Sequence, residues 1–146
     1  MSIVKKGNIL ISEKSIDRLE KLGDLKELLK QNIDKMGPKW IAHLPLFLGA
    51  PEFARILWLN EVYSMIENIP GVIMEFGSQY GASFNVLNML KMIHEPWNPS
   101  RKLLAFTTFE DGFISVDKKD GDLVKEGDYG VETKWENLLI EILNLN

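Results

Sequence analysis

The stretch Pro70-Gly71-Val72-Ile73-Met74-Glu75-Phe76-Gly77-Ser78-Gln79-Tyr80-Gly81-Ala82-Ser83 constrains this chain most tightly. A Pro-Gly turn opens it. The short apolar run that follows is rich enough in β-branched residues to read as a strand buried on both faces. An acidic residue, a glycine, three residues and a second glycine come next, and the apolar period then becomes helical. A strand, a glycine turn and a helix is how an α/β sheet presents backbone N–H groups and a helix N-terminus to a nucleotide-like ligand. Residues Glu75 to Ser83 are therefore read as a ligand loop.

The spacing also says what this loop is not. Gly77-x-x-x-Gly81 is followed by Ala82-Ser83, without the Lys-Ser/Thr of a phosphate-binding P-loop. Ser78 and Gln79 break the three-glycine dinucleotide fingerprint. Two glycines let a backbone approach a ligand closely, and Glu75 could receive an ammonium group. A tight strand-to-helix turn without any ligand would have the same spacing.

The flanks read as follows. Residues 1–11 form a basic, then apolar arm, a short strand or a tail. Ser12 or Ser15 can cap a helix in which Ile16, Leu19 and Leu22 fall three apart. Gly23 is expected to interrupt it, with Asp24-x-x-Glu27 as an acidic capping box, and Leu25, Leu28, Leu29, Ile33 and Met36 continuing the stripe to Gly37-Pro38. Pro38 to Gly49 reads as an apolar loop that packs on its own domain, covers a pocket or forms a dimer contact. His43 has no partner at metal-ligand spacing. Pro51 suits the first turn of a helix running to about Asn68, with Phe53, Ile56, Leu57, Val62, Tyr63 and Ile66 at helical spacing.

Past the glycine loop, Phe84, Leu87, Leu90 and Ile93 make one helical stripe, which Glu95-Pro96-Trp97-Asn98-Pro99 ends. Lys102 to Phe106 is a second short strand, at a length that suits a parallel βαβ crossover. Asp117 to Gly130 is a polar loop. It is not a calcium loop, because Lys119 and Gly121 stand at the third and fifth ligand positions. Thr133-x-x-Glu136 is a capping box for a last helix with Leu138, Leu139, Ile142 and Leu143 inward.

Composition narrows the function classes. With 45% hydrophobic and 26% charged residues, the 146-residue chain suits a folded domain rather than a disordered one. A net charge of −4 gives no basic footprint for nucleic acid or an anionic membrane. There is no cysteine, hence no disulfide, thiolate metal site or cysteine nucleophile. The N-terminus lacks a signal-peptide core, and no apolar run approaches the ~20 residues that span a bilayer. A cytoplasmic protein is expected, with no membrane and no nucleic-acid partner.

From Glu61 to Leu143 the chain resembles the macrocin O-methyltransferase-like (TylF/MycF-like) group of class I S-adenosylmethionine-dependent methyltransferases. The resemblance rests on Pro70 to Gly77, on Gly81, on Glu95-Pro96-Trp97-Asn98 with Arg101-Lys102, on Phe106-x-Thr108-Phe109-Glu110 with Gly112-Phe113, and on Gly127-Asp128-Tyr129. It implies a partial Rossmann-like α/β methyltransferase fold: N-terminal helices, the first βαβ unit and a following helix. Residues 1–50 would be a helical extension and apolar loop, and 51–146 the cofactor-binding part. It implies S-adenosylmethionine as cofactor. Glu75, Gly77 and Gly81 would lie along its methionine and ribose, Ser78, Gln79 and Ser83 on the same loop, and Thr107, Thr108 and Phe109 beside ribose and adenine. The acceptor would be a small-molecule hydroxyl, often of a sugar.

Two departures from that family stand out. An aspartate normally grips the ribose hydroxyls where Thr107 stands, and Glu110 and Asp111 lie three and four residues late. Some members also need magnesium, but the acidic metal ligands and the catalytic base come after a fourth strand that this sequence does not reach. No catalytic residue can therefore be assigned, and the magnesium ligands are missing from the sequence. The expectation is a truncated, weakly active or inactive methyltransferase-like chain whose open sheet edge is covered by a homo-oligomer or a second chain. The alternative is a non-catalytic interaction or oligomerisation module derived from a methyltransferase.

Overall fold

The computed structural model describes residues 3–6, 9–117, 119 and 124–145, with side chains described from Asp17 onward. The expected loop from Asp117 to Gly130 falls partly on residues 118 and 120–123, outside the described residues. The chain forms two compact units, Met1–Phe53 and Ala54–Asn146.

In the first unit the N-terminal arm is a hairpin. Strand β1 (Ile3–Lys6) pairs antiparallel with β2 (Ile9–Ser12), with Ile3 opposite Ser12 and Lys6 opposite Ile9. Helix α1 (Glu13–Asn32) runs straight through Gly23, contrary to the expected interruption. A single glycine costs a helix only about 1 kcal/mol, and good helix formers surround this one. Asp24-x-x-Glu27 thus lies inside α1 and caps nothing. Leu22, Leu25 and Leu29 are half-buried on one face, whereas Leu19 and Leu28 are exposed. Pro38 to Gly49 is not a loop. Residues Ile33–Phe47 form 3-10 turns broken at Gly37, whose φ of 67° suits glycine. Among the side chains described in this unit none is buried, and Leu46 is 73% exposed.

The second unit carries the sheet. Helix α2 (Ala50–Ile66) leads to strand β3 (Ile73–Phe76), helix α3 (Ala82–His94) and strand β4 (Leu103–Phe106). The strands are parallel, with Ile73 beside Leu103 and Phe76 beside Phe106, so the βαβ unit is present. Leu59 and Tyr63 of α2 pack on Leu87 and Leu90 of α3, with Ile73, Val86 and Leu103 against them. Burying one such leucine stabilises the fold by about 1.5–3 kcal/mol. Helix α4 (Trp135–Leu145) closes the unit. It starts later than the Thr133 capping box suggests, because Lys134 has φ 67° and cannot be its first helical residue.

The strands are not buried on both faces. Ile73 and Leu103 face the helices, but Met74, Phe76, Leu104 and Phe106 lie on the open face, with Phe76 73% exposed. The Phe76 and Phe106 rings stack there at 4.9 Å. The apolar run suggested double burial because nothing in it is polar on either parity except Glu75. Several stripe residues also turn outward: Ile93 is 71% exposed, and Phe53, Leu57, Leu138 and Ile142 are exposed as well.

The ends of the strands nearest Pro70 and Arg101 are fixed by a buried polar cluster. Glu95 Oε2 accepts from Tyr63 Oη at 2.6 Å and from Arg101 Nε at 2.8 Å, and Glu95 Oε1 accepts from Asn98 Nδ2 at 2.7 Å. The Arg101 guanidinium also donates to the carbonyls of Ile66 (2.9 Å) and Gly71 (3.2 Å), so it caps α2 and holds the turn into β3. Arg101 is 4% exposed and Tyr63 fully buried. The Arg101 and Tyr63 hydrogen bonds hold the Glu95 carboxyl at a pKa of about 2, well below its ordinary 4.5. Burial, then the bond to Glu95, pushes the Tyr63 phenol well up. A buried charge is tolerated when paired and hydrogen-bonded, and Glu95 and Arg101 are both.

Candidate functional site

At the opposite ends of the same strands the chain opens into a cleft of about 630 Å³. Gly77 and Gln79 from the loop after β3 form one wall. Thr107, Thr108 and Phe109 after β4 form another, and Phe113 and Tyr129 close a third. This is where an open α/β sheet binds ligands, in the crevice beyond the carboxyl ends of its strands.

The backbone around the cleft is strained. Among the described residues, four non-glycine residues have left-handed φ, and Gln79 (48°), Phe109 (48°) and Tyr129 (64°) line this cleft. Each such conformation costs about 1–3 kcal/mol and persists only where its surroundings enforce it. The enforcement is visible. Phe109 C=O accepts from the N–H of Val131 at 3.0 Å, Phe113 N–H donates to Asp128 C=O at 3.0 Å, and Gly127 N–H donates to Phe113 C=O at 2.9 Å. A Cβ on Gly112 would lie 2.4 Å from the Gly127 carbonyl oxygen, so the two segments meet where only glycine fits. Phe113 and Tyr129 stack edge to face at 5.3 Å.

The two glycines of the loop have different jobs. Gly81 (φ 80°) begins α3, and a Cβ there would lie 2.6 Å from Leu139 Cδ1. Its smallness lets Leu139 of α4 pack against the start of α3. Trp135 supports the same contact, donating its indole N–H to Tyr80 C=O at 3.1 Å. Gly77 (φ 77°) has nothing within 4 Å of its missing Cβ and faces open space in the cleft wall.

Three backbone amides of this loop are already engaged within the protein. Gly77 N–H and Ser78 N–H both donate to Phe106 C=O (2.7 and 3.4 Å), and Gly81 N–H donates to Ser78 C=O at 2.7 Å. These amides tie the loop to β4 and to itself. Two side-chain oxygens here lack a partner. Glu75 Oε2 and Ser78 Oγ are buried without a hydrogen bond, and Ser78 is only 8% exposed. A buried polar atom without a partner costs about 1–3 kcal/mol, so each of these oxygens is a local cost to the fold.

Of the nine residues singled out from sequence, Gly77, Gln79, Thr107, Thr108 and Phe109 line the cleft. Glu75, Ser78, Gly81 and Ser83 do not. Ser83 Oγ is engaged instead by Arg55 of α2, whose Nε and Nη2 lie 3.1 and 2.7 Å from it. Arg55 was not singled out from sequence. Nothing at helical spacing distinguishes it, and its role appears only once α2 lies beside the start of α3. Phe113 and Tyr129 were legible only as parts of the Gly112-Phe113 and Gly127-Asp128-Tyr129 blocks. Among the described residues no group of three or more His, Asp or Glu side chains could hold a metal ion. None of their helices is long and apolar enough to cross a membrane.

No protein-family model matches the sequence, and no curated protein matches it. Solved structures do. The chain superposes on a crystal structure of CalS11, calicheamicin methyltransferase, with a TM-score of 0.81 at 28% identity, over 99% of this chain and 57% of that one. The apo structure of CalS11, described as a TDP-rhamnose 3′-O-methyltransferase of calicheamicin biosynthesis, matches with a TM-score of 0.68 at 24% identity, over 94% of this chain and 49% of that one. The chain thus spans about half the length of these methyltransferases. Its fold is a partial Rossmann-like methyltransferase fold.

Proposed function

We propose that the second unit binds S-adenosylmethionine and that the chain is an O-methyltransferase-like protein of the macrocin O-methyltransferase-like (TylF/MycF-like) group, directed to the hydroxyl of a sugar or other small molecule. The observation that carries this is the cleft beyond β3 and β4. It is lined by five of the residues that the family resemblance assigns to the cofactor, in a fold shared with methyltransferases.

The residues present fit much of the cofactor. Glu75 Oε2 and Ser78 Oγ, which are unpartnered and flank Gly77 of the cleft wall in sequence, suit its ammonium end. Arg55 beside the first turn of α3 suits its carboxylate, since a guanidinium next to the positive end of a helix is relieved by an incoming anion. Gly77 leaves room for the sugar, and Phe109 and Phe113 offer flat apolar surface for the base. Bound S-adenosylmethionine would supply an electrophilic methyl group. This chain's own residues would orient the cofactor and exclude water from one side of it. No residue is assigned as catalytic base, and no metal ligand is proposed among the described residues.

Calorimetric titration with S-adenosylmethionine and S-adenosylhomocysteine tests the reading, with Gly77→Val as control. Saturable binding that the valine abolishes supports it. Absence of any heat up to millimolar ligand contradicts it.

A second reading is favoured by one specific observation, the exposed apolar face of Met74, Phe76, Leu104 and Phe106. Among the described residues β3 and β4 pair only with each other, so their outer edges are open as well. Sheets seldom leave such edges uncovered. On this reading the chain is an interaction or oligomerisation module in which another chain covers the sheet. A strictly monomeric species in light scattering would count against it.

A further inference from the structure

We infer that the cleft takes a nucleoside without reading its ribose diol, so that ribo- and 2′-deoxyribonucleosides bind alike. The inference rests on the cofactor reading above and concerns how this chain's own residues meet that group. None of the twelve residues lining the cleft is charged. Four are aromatic, namely Phe106, Phe109, Phe113 and Tyr129, which suits a flat, uncharged base and offers nothing to a phosphate. A sugar diol is held selectively when a carboxylate at a strand end accepts from its hydroxyls. The residue at the end of β4 is Thr107, half-buried in the cleft wall, and its neutral hydroxyl cannot do this.

The nearby acids cannot take over. Glu110 and Asp111 sit in the 3-10 turn Phe109–Asp111 and do not line the cleft. That turn is tied at both ends. Asp111 N–H donates to Thr108 C=O at 3.1 Å, the Thr108 hydroxyl donates to Gly112 C=O, and Val131 N–H donates to Phe109 C=O. Gly130 is pressed against Glu110 C=O, where a Cβ would lie 2.6 Å away. These contacts fix the main chain of the turn in the position that leaves both carboxylates outside the cleft lining. The Thr108 hydroxyl proton is committed to Gly112 as well. Diol recognition is therefore left to neutral oxygens, which discriminate weakly.

The experiment is an NMR-monitored titration of the full chain with adenosine and with 2′-deoxyadenosine, alongside S-adenosylhomocysteine. The two nucleosides are expected to bind within about threefold of one another, the scale of a single neutral hydrogen bond. Thr107→Asp should shift the ratio toward adenosine by about tenfold, and Thr107→Ser should leave it unchanged. Wild-type protein that prefers adenosine by tenfold or more would overturn the inference and leave the cofactor reading standing. If neither nucleoside nor S-adenosylhomocysteine binds, the cofactor reading falls and this inference with it. The wild-type ratio decides the matter even if Thr107→Asp does not fold.

Discussion

The two ends of the same two strands are built on opposite principles. At the end nearest Pro70 and Arg101, both buried charges have partners: Glu95 accepts from Tyr63, Asn98 and Arg101, and Arg101 also holds backbone carbonyls of α2 and of the turn into β3. At the other end, Glu75 Oε2 and Ser78 Oγ are buried without partners, and Gln79, Phe109 and Tyr129 are held in strained backbone conformations. One end is satisfied and stabilising. The other is unsatisfied and strained in the way of a surface that completes its bonding with a ligand. The difference also separates two kinds of sequence block. The Glu95–Arg101 block and the Gly77 and Thr108-Phe109 blocks all carry the family resemblance, yet the first works by holding the fold while the others line the cleft of about 630 Å³.

Four substitutions test that contrast. The largest effect is expected from Arg101→Ala, which takes from the buried Glu95 carboxylate its charge partner and from the Ile66 and Gly71 carbonyls a donor. Urea unfolding should show a loss of about 3–5 kcal/mol, and S-adenosylhomocysteine affinity should change only as far as folding does. Gly81→Ala comes next. Its Cβ would meet Leu139 and its φ of 80° disfavours a side chain, so a loss of about 2–4 kcal/mol is expected. Tyr63→Phe removes one hydrogen bond to a charged group and should cost about 1.5–3 kcal/mol in the same assay. Gly77→Ala is the smallest in stability, about 1 kcal/mol, because its φ of 77° is unfavourable but no atom stands in the way. It should nevertheless weaken cofactor binding about tenfold or more, whereas Gly81→Ala in the fraction still folded should not. If the two glycine variants behaved alike in both assays, the division of labour within the loop would be wrong.

Acid sharpens the same comparison. Glu95 has a pKa of about 2 in the folded chain against an ordinary 4.5. A carboxyl with a depressed folded pKa contributes stability that is complete above the ordinary value and is lost as pH falls toward the folded one. Thermal unfolding should therefore keep this contribution at neutral pH and lose it between about pH 4.5 and pH 2. Glu95→Gln should flatten the curve in that window.

Much of the fold was legible from local rules, and the misses share a cause. The βαβ unit was visible because Pro70-Gly71, the two glycines and Pro96 to Pro99 punctuate runs of clear period. The double burial expected of β3 failed because an apolar run reports what the sequence permits, not what packs against it, and here Phe76 and Met74 face outward. Gly23 and the Pro38–Gly49 segment failed because good helix formers and 3-10 turns overrode the usual breakers. Of the site, the loop residues and Thr107 to Phe109 could be found because they sit at strand ends. Arg55 could not, since it reaches Ser83 only after α2 and α3 are side by side. Nor could sequence tell that Gly81 serves Leu139 while Gly77 faces the cleft, because both have the same spacing logic and differ only in what lies opposite.

The central claim is that the strand ends at Gly77 and Thr107, not those at Gly71 and Arg101, receive a small nucleoside-bearing cofactor. The most direct test is a ¹⁵N-resolved NMR titration with S-adenosylhomocysteine. The expected result is concentration-dependent movement of the amides of Gly77, Gln79, Thr107, Thr108, Phe109 and Tyr129, with Glu95, Asn98 and Arg101 unmoved. Movement confined to the Glu95–Arg101 end, or no movement anywhere at saturating ligand, would contradict it.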